Sequence, residues 1–232
     1  MDKRIKYLIV LDTETANSFS DETGKLDLSN SLVYDIGWQV VDKQGRVYEK
    51  KSYIVEDIFF GYSEMMKSAY YAKKIPQYLK EIEEGKRKVE RFYKIRLDLL
   101  DTLKRYNTKI VCAHNARFDV NALNMTERYL SKSKYRFFFP YGSEIWDTLK
   151  MASDTIGKQK SYCSWCEKNG YMTKHSSPRP RLTAEIIFRY ISGIADFDEA
   201  HTGLEDVEIE TKILAHCFRQ HKKMRKKLYE KA

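Results

Sequence analysis

A short apolar run that leads into two acids constrains the fold of this chain most. Residues Tyr7–Leu11 are apolar, and Asp12 and Glu14 follow them with only Thr13 between. A run of this length and composition predicts a buried strand that ends at the acids. Residues two apart on a strand share a face, so the two carboxylates would point the same way, about 6–7 Å apart. Such neighbours repel and raise each other's pKa unless a cation lies between them.

Two interpretations of this acidic pair follow from its chemistry. The first is a strand end whose carboxylates are simply solvated. The second is a divalent-metal site, because Mg²⁺ and Mn²⁺ prefer carboxylate oxygens as ligands. The Asp12–Glu14 pair alone leaves both interpretations open.

The composition narrows the class of protein. The chain has 232 residues, 42% of them hydrophobic, which suits one domain with an ordinary core. A net charge of +9 favours a polyanionic partner. Of the four cysteines only Cys163 and Cys166 are close in sequence, which is typical of a reducing compartment. Apolar stretches are too short for a signal peptide or a membrane span, so we expect a soluble cytoplasmic protein with no membrane partner.

The hydrophobic pattern predicts strands first and alternating strands and helices afterwards. Two strand-like runs, Leu32–Asp42 and Val47–Val55, flank a turn at residues 43–46 and predict a hairpin. Residues 63–106 have helical spacing, Lys109–His114 predicts a strand followed by a helix, and a strand-like stretch ends near residue 147 before further helices. This order indicates a mixed sheet covered by helices.

A second acidic motif, AHNARFDVNAL, follows the strand predicted at Lys109–His114. Asn115 is a favourable N-cap residue, which predicts a helix that begins there and places Asp119 in its first turn. Taken alone, Asp119 is equally explained as a surface carboxylate that interacts with the positive end of the helix.

A third motif, HTGLEDVEIE, combines a histidine with an acid. Thr202 and Glu205 have capping-box spacing, which predicts a helix with Thr202 as N-cap. His201 then lies just outside the helix and Asp206 in its first turn. Alone, His201 is also explained as a structural surface histidine.

The three motifs together indicate phosphoryl-transfer chemistry. Each delivers an acid at a strand end or in the first turn of a helix, where the active sites of mixed α/β folds collect. Asp12, Glu14, Asp119 and Asp206 could hold two Mg²⁺ ions about 3.5–4 Å apart. His201 is a suitable general base for an attacking water.

The chain resembles the DEDDh (DnaQ-like) 3′-5′ exonucleases in the order and spacing of three motifs. These are Asp12-Thr13-Glu14, the stretch from His114 to Asp119, and His201 followed by Asp206. The resemblance covers about residues 5–218. It implies an α/β, ribonuclease H-like fold: a mixed five-stranded sheet, its three antiparallel strands first, flanked by helices. The resemblance also implies the roles of site residues. The metal ligands would be Asp12, Glu14, Asp119 and Asp206, and the general base would be His201. The substrate would be bound by Thr13, Thr15, Asn115 and Phe118, although Phe118 is equally explained as a core residue.

The activity implied by the resemblance is a metal-dependent 3′-5′ exonuclease that releases nucleoside 5′-monophosphates from single-stranded nucleic acid. The expected cofactors are two Mg²⁺, with Mn²⁺ as a substitute. The expected partners are 3′ ends of single-stranded DNA or RNA, DNA slightly favoured. In a proofreading role the chain would act with a polymerase in trans. Many members of the family are homodimers, although the sequence has no dimerisation signature. The alternatives are a phosphodiesterase for short oligonucleotides or cyclic nucleotides and a noncatalytic nucleic-acid-binding module.

Three segments depart from the plain family pattern. The helical segment 56–107 of the exonuclease domain (residues 1–218) is either an insertion that shapes substrate access or docks a partner, or an ordinary helix pair. Residues 219–232 form a basic C-terminal tail, either a solvated helix end or a source of nonspecific phosphate affinity. Cys163 and Cys166 lack the further ligands of a zinc site, so we expect core residues.

Overall fold

The computed structural model describes residues 6–17, 31–61, 63–69, 72–198 and 201–230. A single sheet runs through the centre of the molecule, with helices on both faces. Its strands are β1 (Leu8–Ala16), β2 (Leu32–Val41), β3 (Val47–Val55), β4 (Lys88–Glu90), β5 (Ile110–Ala113) and β6 (Glu144–Asp147). Within the described ranges, no helix is long and apolar enough to cross a membrane.

The helices fill the connections between the strands and the second half of the chain. They are α1 (Glu56–Phe59), α2 (Ser63–Ser68), α3 (Ile75–Glu83), α4 (Phe92–Arg105), α5 (Arg117–Ser131), α6 (Thr148–Thr155), α7 (Lys160–Lys168), α8 (Ala184–Ser192) and α9 (Gly203–Arg219), with a 3₁₀ turn at Ala72–Lys74. On α7, Cys166 is buried in the core, as predicted, whereas Cys163 is only half-buried.

The sheet has the predicted ribonuclease H-like architecture, with six strands rather than five. The spatial order is β4-β3-β2-β1-β5-β6, in which β1, β2 and β3 are antiparallel neighbours and the other pairings are parallel. The predicted hairpin between β2 and β3 turns at Gly45, which has a φ of 82°. The unexpected sixth strand, β4, lies inside the segment predicted as helical. Its sequence, Lys-Val-Glu, has no apolar run, and its pairing with Tyr53–Val55 is made by the backbone.

β1 is longer than predicted, because it continues through both acids. Asp12 pairs with Gly37 and Glu14 with Asp35 of β2, and the register shifts only after Glu14. The strand was predicted to end at the acids, but it continues beyond them to Ala16. The two faces of the strand remain distinct: Leu8 and Val10 pack into the core on one side of the sheet, and Ile9 and Leu11 into the core on the other. By this alternation Asp12 and Glu14 share the face of Leu8 and Val10.

The helical segment between β3 and β5 is attached to the sheet through a buried ion cluster. Asp35 of β2 is fully buried, and its Oδ2 accepts hydrogen bonds from the Tyr78 hydroxyl (2.8 Å), from Arg87 Nη1 (3.3 Å) and from the Gly203 backbone (3.1 Å). Arg87 also pairs with Glu205 of α9 at 3.4 Å. One carboxylate thus joins the helical segment between β3 and β5, the sheet and the beginning of α9.

The basic C-terminal segment folds back onto the edge of the sheet. The Asp147 backbone N–H donates to the Lys226 carbonyl (2.7 Å), and the Leu228 N–H donates to the Ile145 carbonyl (2.9 Å). Arg225 forms an ion pair with Asp154 of α6 at 2.8 Å. Residues 224–228 therefore run alongside β6 as a short antiparallel segment, although the sequence predicted a solvated helix end or a phosphate-binding tail.

Candidate active site

A cavity of about 650 Å³ opens at the carboxyl end of β1 and β5. It is the place where the motifs converge, because β1 supplies the first two acids, the turn into α5 the third, and the loop into α9 the histidine and the fourth acid. All five predicted catalytic residues line it: Asp12, Glu14, Asp119, His201 and Asp206.

Thr13 connects the first motif to the second. It lies between the two acids of β1 and therefore points to the opposite face of the sheet, where α5 packs. Its hydroxyl donates a 2.8 Å hydrogen bond to Asp119 Oδ1, and both residues are buried. This bond holds the carboxylate of Asp119 against the strand that carries Asp12 and Glu14.

Asp119 lies in the first turn of α5, as predicted, but Asn115 is not the N-cap. The helix begins at Arg117, and Asn115 has a left-handed backbone with a φ of 63°. Its backbone N–H donates to Asp147 Oδ1 at 3.1 Å. Asparagine tolerates this conformation better than most residues, so it serves a tight turn between β5 and α5.

His201 lies just before α9, and Asp206 lies in the first turn of that helix, as predicted. His201 has a φ of 50° and directly precedes Thr202, which is the N-cap as predicted. The reciprocal capping box is absent, because the Thr202 hydroxyl donates to the carboxylate of Glu205 and accepts no hydrogen bond from a backbone N–H of the helix. The left-handed turn at His201 allows its side chain to lie beside that of Asp206.

Two glycines allow α9 to approach the acids on β1. Gly37 lies opposite Asp12 on β2, and a Cβ built on it would be 2.5 Å from the carbonyl carbon of Gly203. A Cβ built on Gly203 would be 2.8 Å from the Gly37 nitrogen and 3.4 Å from the Asp12 carbonyl oxygen. The distances of 2.5 Å and 2.8 Å are shorter than normal side-chain packing permits, so the first turn of α9 reaches the sheet only because both residues lack a side chain.

Glu14, His201 and Asp206 form a cluster suited to a cation. Each offers one ligand atom, and the three atoms lie within 4.8 Å of one another. Burial raises the pKa of Asp12 and of Glu14 well above the ordinary range, and the neighbouring carboxylates raise both further. Burial also raises the pKa of Asp119 to about 7, against the opposing hydrogen bond from Thr13. A hard divalent cation would relieve this repulsion and prefers oxygen ligands, so the donor set fits one.

The electrostatic surroundings of His201 favour its neutral form. Burial lowers the pKa of its imidazole below the ordinary value, and the charge of Lys74 lowers it further. A neutral imidazole can accept a proton at neutral pH.

One acid of the cavity, Glu210, and one buried acid behind its wall, Asp147, were not predicted. Glu210 is buried, lines the cavity, and accepts a 3.1 Å hydrogen bond from the His114 backbone N–H. It lies four residues after Asp206 on α9, so the i,i+4 spacing could have indicated that it shares the same helix face. Asp147, at the end of β6, is buried and accepts from Asn115. The parallel pairing of β5 with β6 brings Asp147 next to the turn before α5, and no local sequence pattern predicts this pairing.

The side wall of the cavity comes from the chain between α7 and α8. Pro180, Arg181 and Leu182 line it, and the His114 ring holds this wall through a 2.7 Å hydrogen bond from Nε2 to the Leu182 carbonyl. Burial lowers the pKa of His114, which keeps the ring neutral in this role.

The predicted substrate-binding residues differ in their positions. Thr13, Asn115 and Phe118 line the cavity, and Phe118 is 36% exposed, so it is not a core residue. Thr15 is buried beyond the register shift and accepts a 3.2 Å hydrogen bond from Asn17. It is not among the residues that line the cavity.

Solved structures share this fold. The nuclease domain of 3′hExo, described as a DEDDh family member bound to rAMP, aligns over 98% of this chain and 100% of its own, with 11% identity and a TM-score of 0.58. A full-length 3′-exonuclease aligns over 97% of this chain and 87% of its own, with 12% identity and a TM-score of 0.61. E. coli Exonuclease I in complex with a 5cy-dT13 oligonucleotide aligns over 93% of this chain and 41% of its own, with 12% identity and a TM-score of 0.56.

Sequence comparisons add no relative. No family model matches the chain, and no curated protein matches it. At 11–12% identity, the solved structures show that the chain has the fold of these nucleases.

Proposed function

We propose that the protein is a metal-dependent 3′-5′ exonuclease that hydrolyses the terminal phosphodiester of single-stranded DNA or RNA. The observation that carries this proposal is the cluster of Glu14, His201 and Asp206, whose ligand atoms lie within 4.8 Å of one another in a cavity that also holds Asp12 and Asp119. Four acids and a histidine in one cavity suit two-metal hydrolysis of a phosphodiester.

The four acids would hold two Mg²⁺, or Mn²⁺ in their place. Asp12, Glu14 and Asp206 are the principal ligands in this proposal, and Asp119, held by Thr13, completes the set. When bound, the ions supply stabilisation of the negative charge that develops on the attacking and leaving oxygens. The raised pKa values of Asp12 and Glu14 support this role, because two buried neighbouring carboxylates ionise together only beside a positive charge.

His201 is the general base. Its neutral imidazole accepts the proton of the water that attacks the phosphorus, and the bond to the 3′-oxygen of the preceding nucleotide breaks. The products are a nucleoside 5′-monophosphate and a strand shortened by one residue. Burial of His201 keeps the imidazole unprotonated at neutral pH, which suits it to accept this proton.

The substrate class is supported by the cavity and the charge of the chain. The 650 Å³ cavity has the size of a small-ligand site, and Phe118 lies at its wall with a partly exposed ring on which a base can stack. A net charge of +9 favours a polymeric anion over a small cyclic nucleotide. The fold neighbours were solved with rAMP and with a dT13 oligonucleotide, so we propose both RNA and DNA as substrates.

Digestion of end-labelled oligonucleotides tests this proposal. Matched single-stranded DNA and RNA, labelled at the 3′ or the 5′ end, are incubated with Mg²⁺ or with EDTA, beside Asp12→Ala as the inactive variant. We expect labelled mononucleotide from the 3′ label and a ladder shortening by single nucleotides from the 5′ label. EDTA and Asp12→Ala should both abolish cleavage.

The same experiment separates the alternatives. Binding without cleavage of either polymer would contradict the proposal and favour a noncatalytic nucleic-acid-binding module. Cleavage restricted to dinucleotides or cyclic nucleotides would favour a small-nucleotide phosphodiesterase.

A further inference from the structure

The loop between α5 and β6 carries a concentration of aromatic and basic side chains that the proposed chemistry does not use. Between Glu127 and Glu144 the sequence contains no acid, but it contains four cations and six aromatic residues. We use the term aromatic–basic surface for the members of this stretch that reach the protein surface: Arg128, Lys132, Lys134, Tyr135, Arg136, Phe137 and Tyr141.

Three rings of this surface are strongly exposed. Tyr135 is 79% exposed, Phe137 57%, and Tyr141 is fully exposed. Isolated exposed apolar side chains are ordinary, but three large exposed rings within seven residues concentrate apolar surface in one loop. Such a concentration on a protein with this charge indicates a binding surface.

The backbone under these rings is held in place. Phe138 is completely buried and packs on Phe92 of α4, with ring centroids 5.2 Å apart. Its N–H donates to Asn124 Oδ1 at 2.9 Å, and Arg96 Nε donates to its carbonyl at 2.7 Å. The exposed rings on either side of Phe138 are therefore displayed from a fixed backbone, which lowers the entropy lost when a ligand stacks on them.

The cations lie close to the rings. The Arg128 guanidinium is 4.8 Å from the Phe137 ring centroid, and Lys134 Nζ is 5.8 Å from that of Tyr135. Arg136 lies 3.9 Å from Glu127, which offsets part of its charge. The surface as a whole combines ring faces with positive charge, the chemistry that binds bases and phosphates of an unpaired strand.

Helix α5 connects this surface to the cavity. Arg117, Asn121, Asn124 and Arg128 recur at spacings of four, three and four residues, so they share one face of the helix. Arg117 and Asn121 are exposed and line a groove of about 270 Å³ that shares Asn115 and Phe118 with the cavity. From Asp119 to Ser131 the helix rises about 18 Å, which is twelve residues at ~1.5 Å each.

We propose that the aromatic–basic surface is a second binding site for single-stranded nucleic acid, which holds the strand upstream of the 3′ end in the cavity. The proposal rests on the proposed exonuclease function for its orientation, with the strand following α5 from the cavity to the loop. Unpaired bases suit the surface better than a duplex, because only unstacked bases offer their faces to the rings. The uniform positive charge favours nucleic acid over a protein partner.

Binding and kinetics of a triple variant, Tyr135→Ala/Phe137→Ala/Tyr141→Ala, test this proposal. Fluorescence anisotropy in EDTA measures the Kd for a labelled single-stranded oligonucleotide of about 20 nucleotides, without cleavage. We expect the triple variant to bind at least about fivefold more weakly for each contacting ring. In Mg²⁺, KM for the long substrate should rise equally, with an unchanged kcat and an unchanged KM for a dinucleotide.

Two controls accompany this variant. Tyr48→Ala removes an exposed ring from β3, away from the loop, and should leave the Kd unchanged. The thermal midpoint of the triple variant should equal that of the wild type, because the three rings are exposed. Lys132→Gln/Lys134→Gln should reduce the slope of log K against log salt by about 1.4, since each phosphate contact contributes about 0.7 for single strands.

The outcomes distinguish this proposal from the proposed function. If the triple variant binds the long oligonucleotide with an unchanged Kd, the proposal of a second nucleic-acid site is overturned. The surface would then be explained as a binding site for a protein partner. An equal loss for the dinucleotide would also overturn it, because the rings would then act on the cavity itself. If the triple variant binds more weakly but the wild type cleaves neither DNA nor RNA, the second binding site is supported and the proposed exonuclease activity is contradicted.

Discussion

The backbone of Gly203 lies against the backbone of Gly37, so closely that a methyl group on Gly37 would be 2.5 Å from the Gly203 carbonyl carbon. Gly37 is the β2 partner of Asp12, and Gly203 is the first residue of α9. The contact therefore sets the distance between the acids of β1 and the residues that flank the beginning of α9, His201 and Asp206.

We expect Gly37→Ala to displace α9 from the sheet. The added methyl has only backbone to meet, so the substitution should destabilise the protein by about 1–3 kcal/mol and reduce nuclease activity much more than stability. Denaturant unfolding and the oligonucleotide assay measure the two effects. Gly170→Asn is the control, because Gly170 has a φ of 75° that asparagine tolerates and open space around its Cβ. Full activity of Gly37→Ala would contradict the interpretation of the contact.

The metal-free protein should lose stability as the pH rises from about 4 to 7. The folded-state pKa of Asp119 is raised to about 7, above the value of about 4 in the unfolded chain, so the folded state binds the extra proton in this interval. Asp12 and Glu14 contribute in the same direction. Thermal unfolding in EDTA across this pH range measures the effect, and Mg²⁺ should abolish it. A metal-free protein whose stability rises over this interval would refute the expected sign.

Thr13→Val should weaken metal binding without unfolding the protein. The substitution conserves volume but removes the 2.8 Å hydrogen bond to Asp119, which orients that carboxylate and lowers its pKa. Loss of such a bond behind a metal ligand typically lowers metal affinity about 10- to 100-fold. The Mg²⁺ concentration for half-maximal cleavage measures it. Thr13→Ser keeps the hydroxyl and should behave as the wild type; an equal defect in both variants would exclude the hydrogen bond as the cause.

His201→Asn should lower kcat by about 10²- to 10⁴-fold and leave substrate binding intact. Because the pKa of His201 is below its ordinary value of about 6.5, the wild-type kcat should be half-maximal at a pH below about 6.5 and fall in more acidic solution. Rates between pH 5 and 8 in Mg²⁺ test this for both proteins. His216→Asn, on the far end of α9, is the matched control and should keep wild-type kinetics.

Arg87→Met should destabilise the protein far more than the loss of a surface arginine. Arg87 is buried and pairs with the fully buried Asp35, so its removal leaves an uncompensated charge and should reduce the free energy of unfolding by about 3–5 kcal/mol. Arg105→Met is the control: Arg105 is 42% exposed and pairs with Glu49 at the surface, where an ion pair contributes about 0–1 kcal/mol. Equal losses, measured by denaturant unfolding, would show that the buried cluster does not stabilise the fold.

The sequence was sufficient to predict the elements that carry the acids. Asp119 and Asp206 lie in the first turns of their helices, because an acid near a helix start and a capping threonine are local signals. The extension of β1 through Asp12 and Glu14 was not predictable in this way. Two carboxylates separated by one residue are typical of a strand end, and only the pairing with β2 keeps Asp12 and Glu14 within the sheet.

The parts that were missed depend on contacts between distant segments. β4 has a polar sequence and exists because its backbone pairs with β3. Asn115 has the composition of an N-cap, but a tertiary hydrogen bond to Asp147 places it in a left-handed turn. Glu210 had a usable signal in its spacing from Asp206, whereas Asp147 had none.

The C-terminal segment that runs along β6 also affects how the protein behaves towards other copies of itself. An unpaired edge strand is a template on which a neighbouring chain can add a strand, and aggregation begins at such edges. Here the edge of β6 is occupied by the chain's own residues 224–228, and Lys226 and Lys227 add charge to the segment. The segment thus protects the edge of β6 from pairing with another molecule. A protein shortened before Met224 should retain its sheet and self-associate through the uncovered edge.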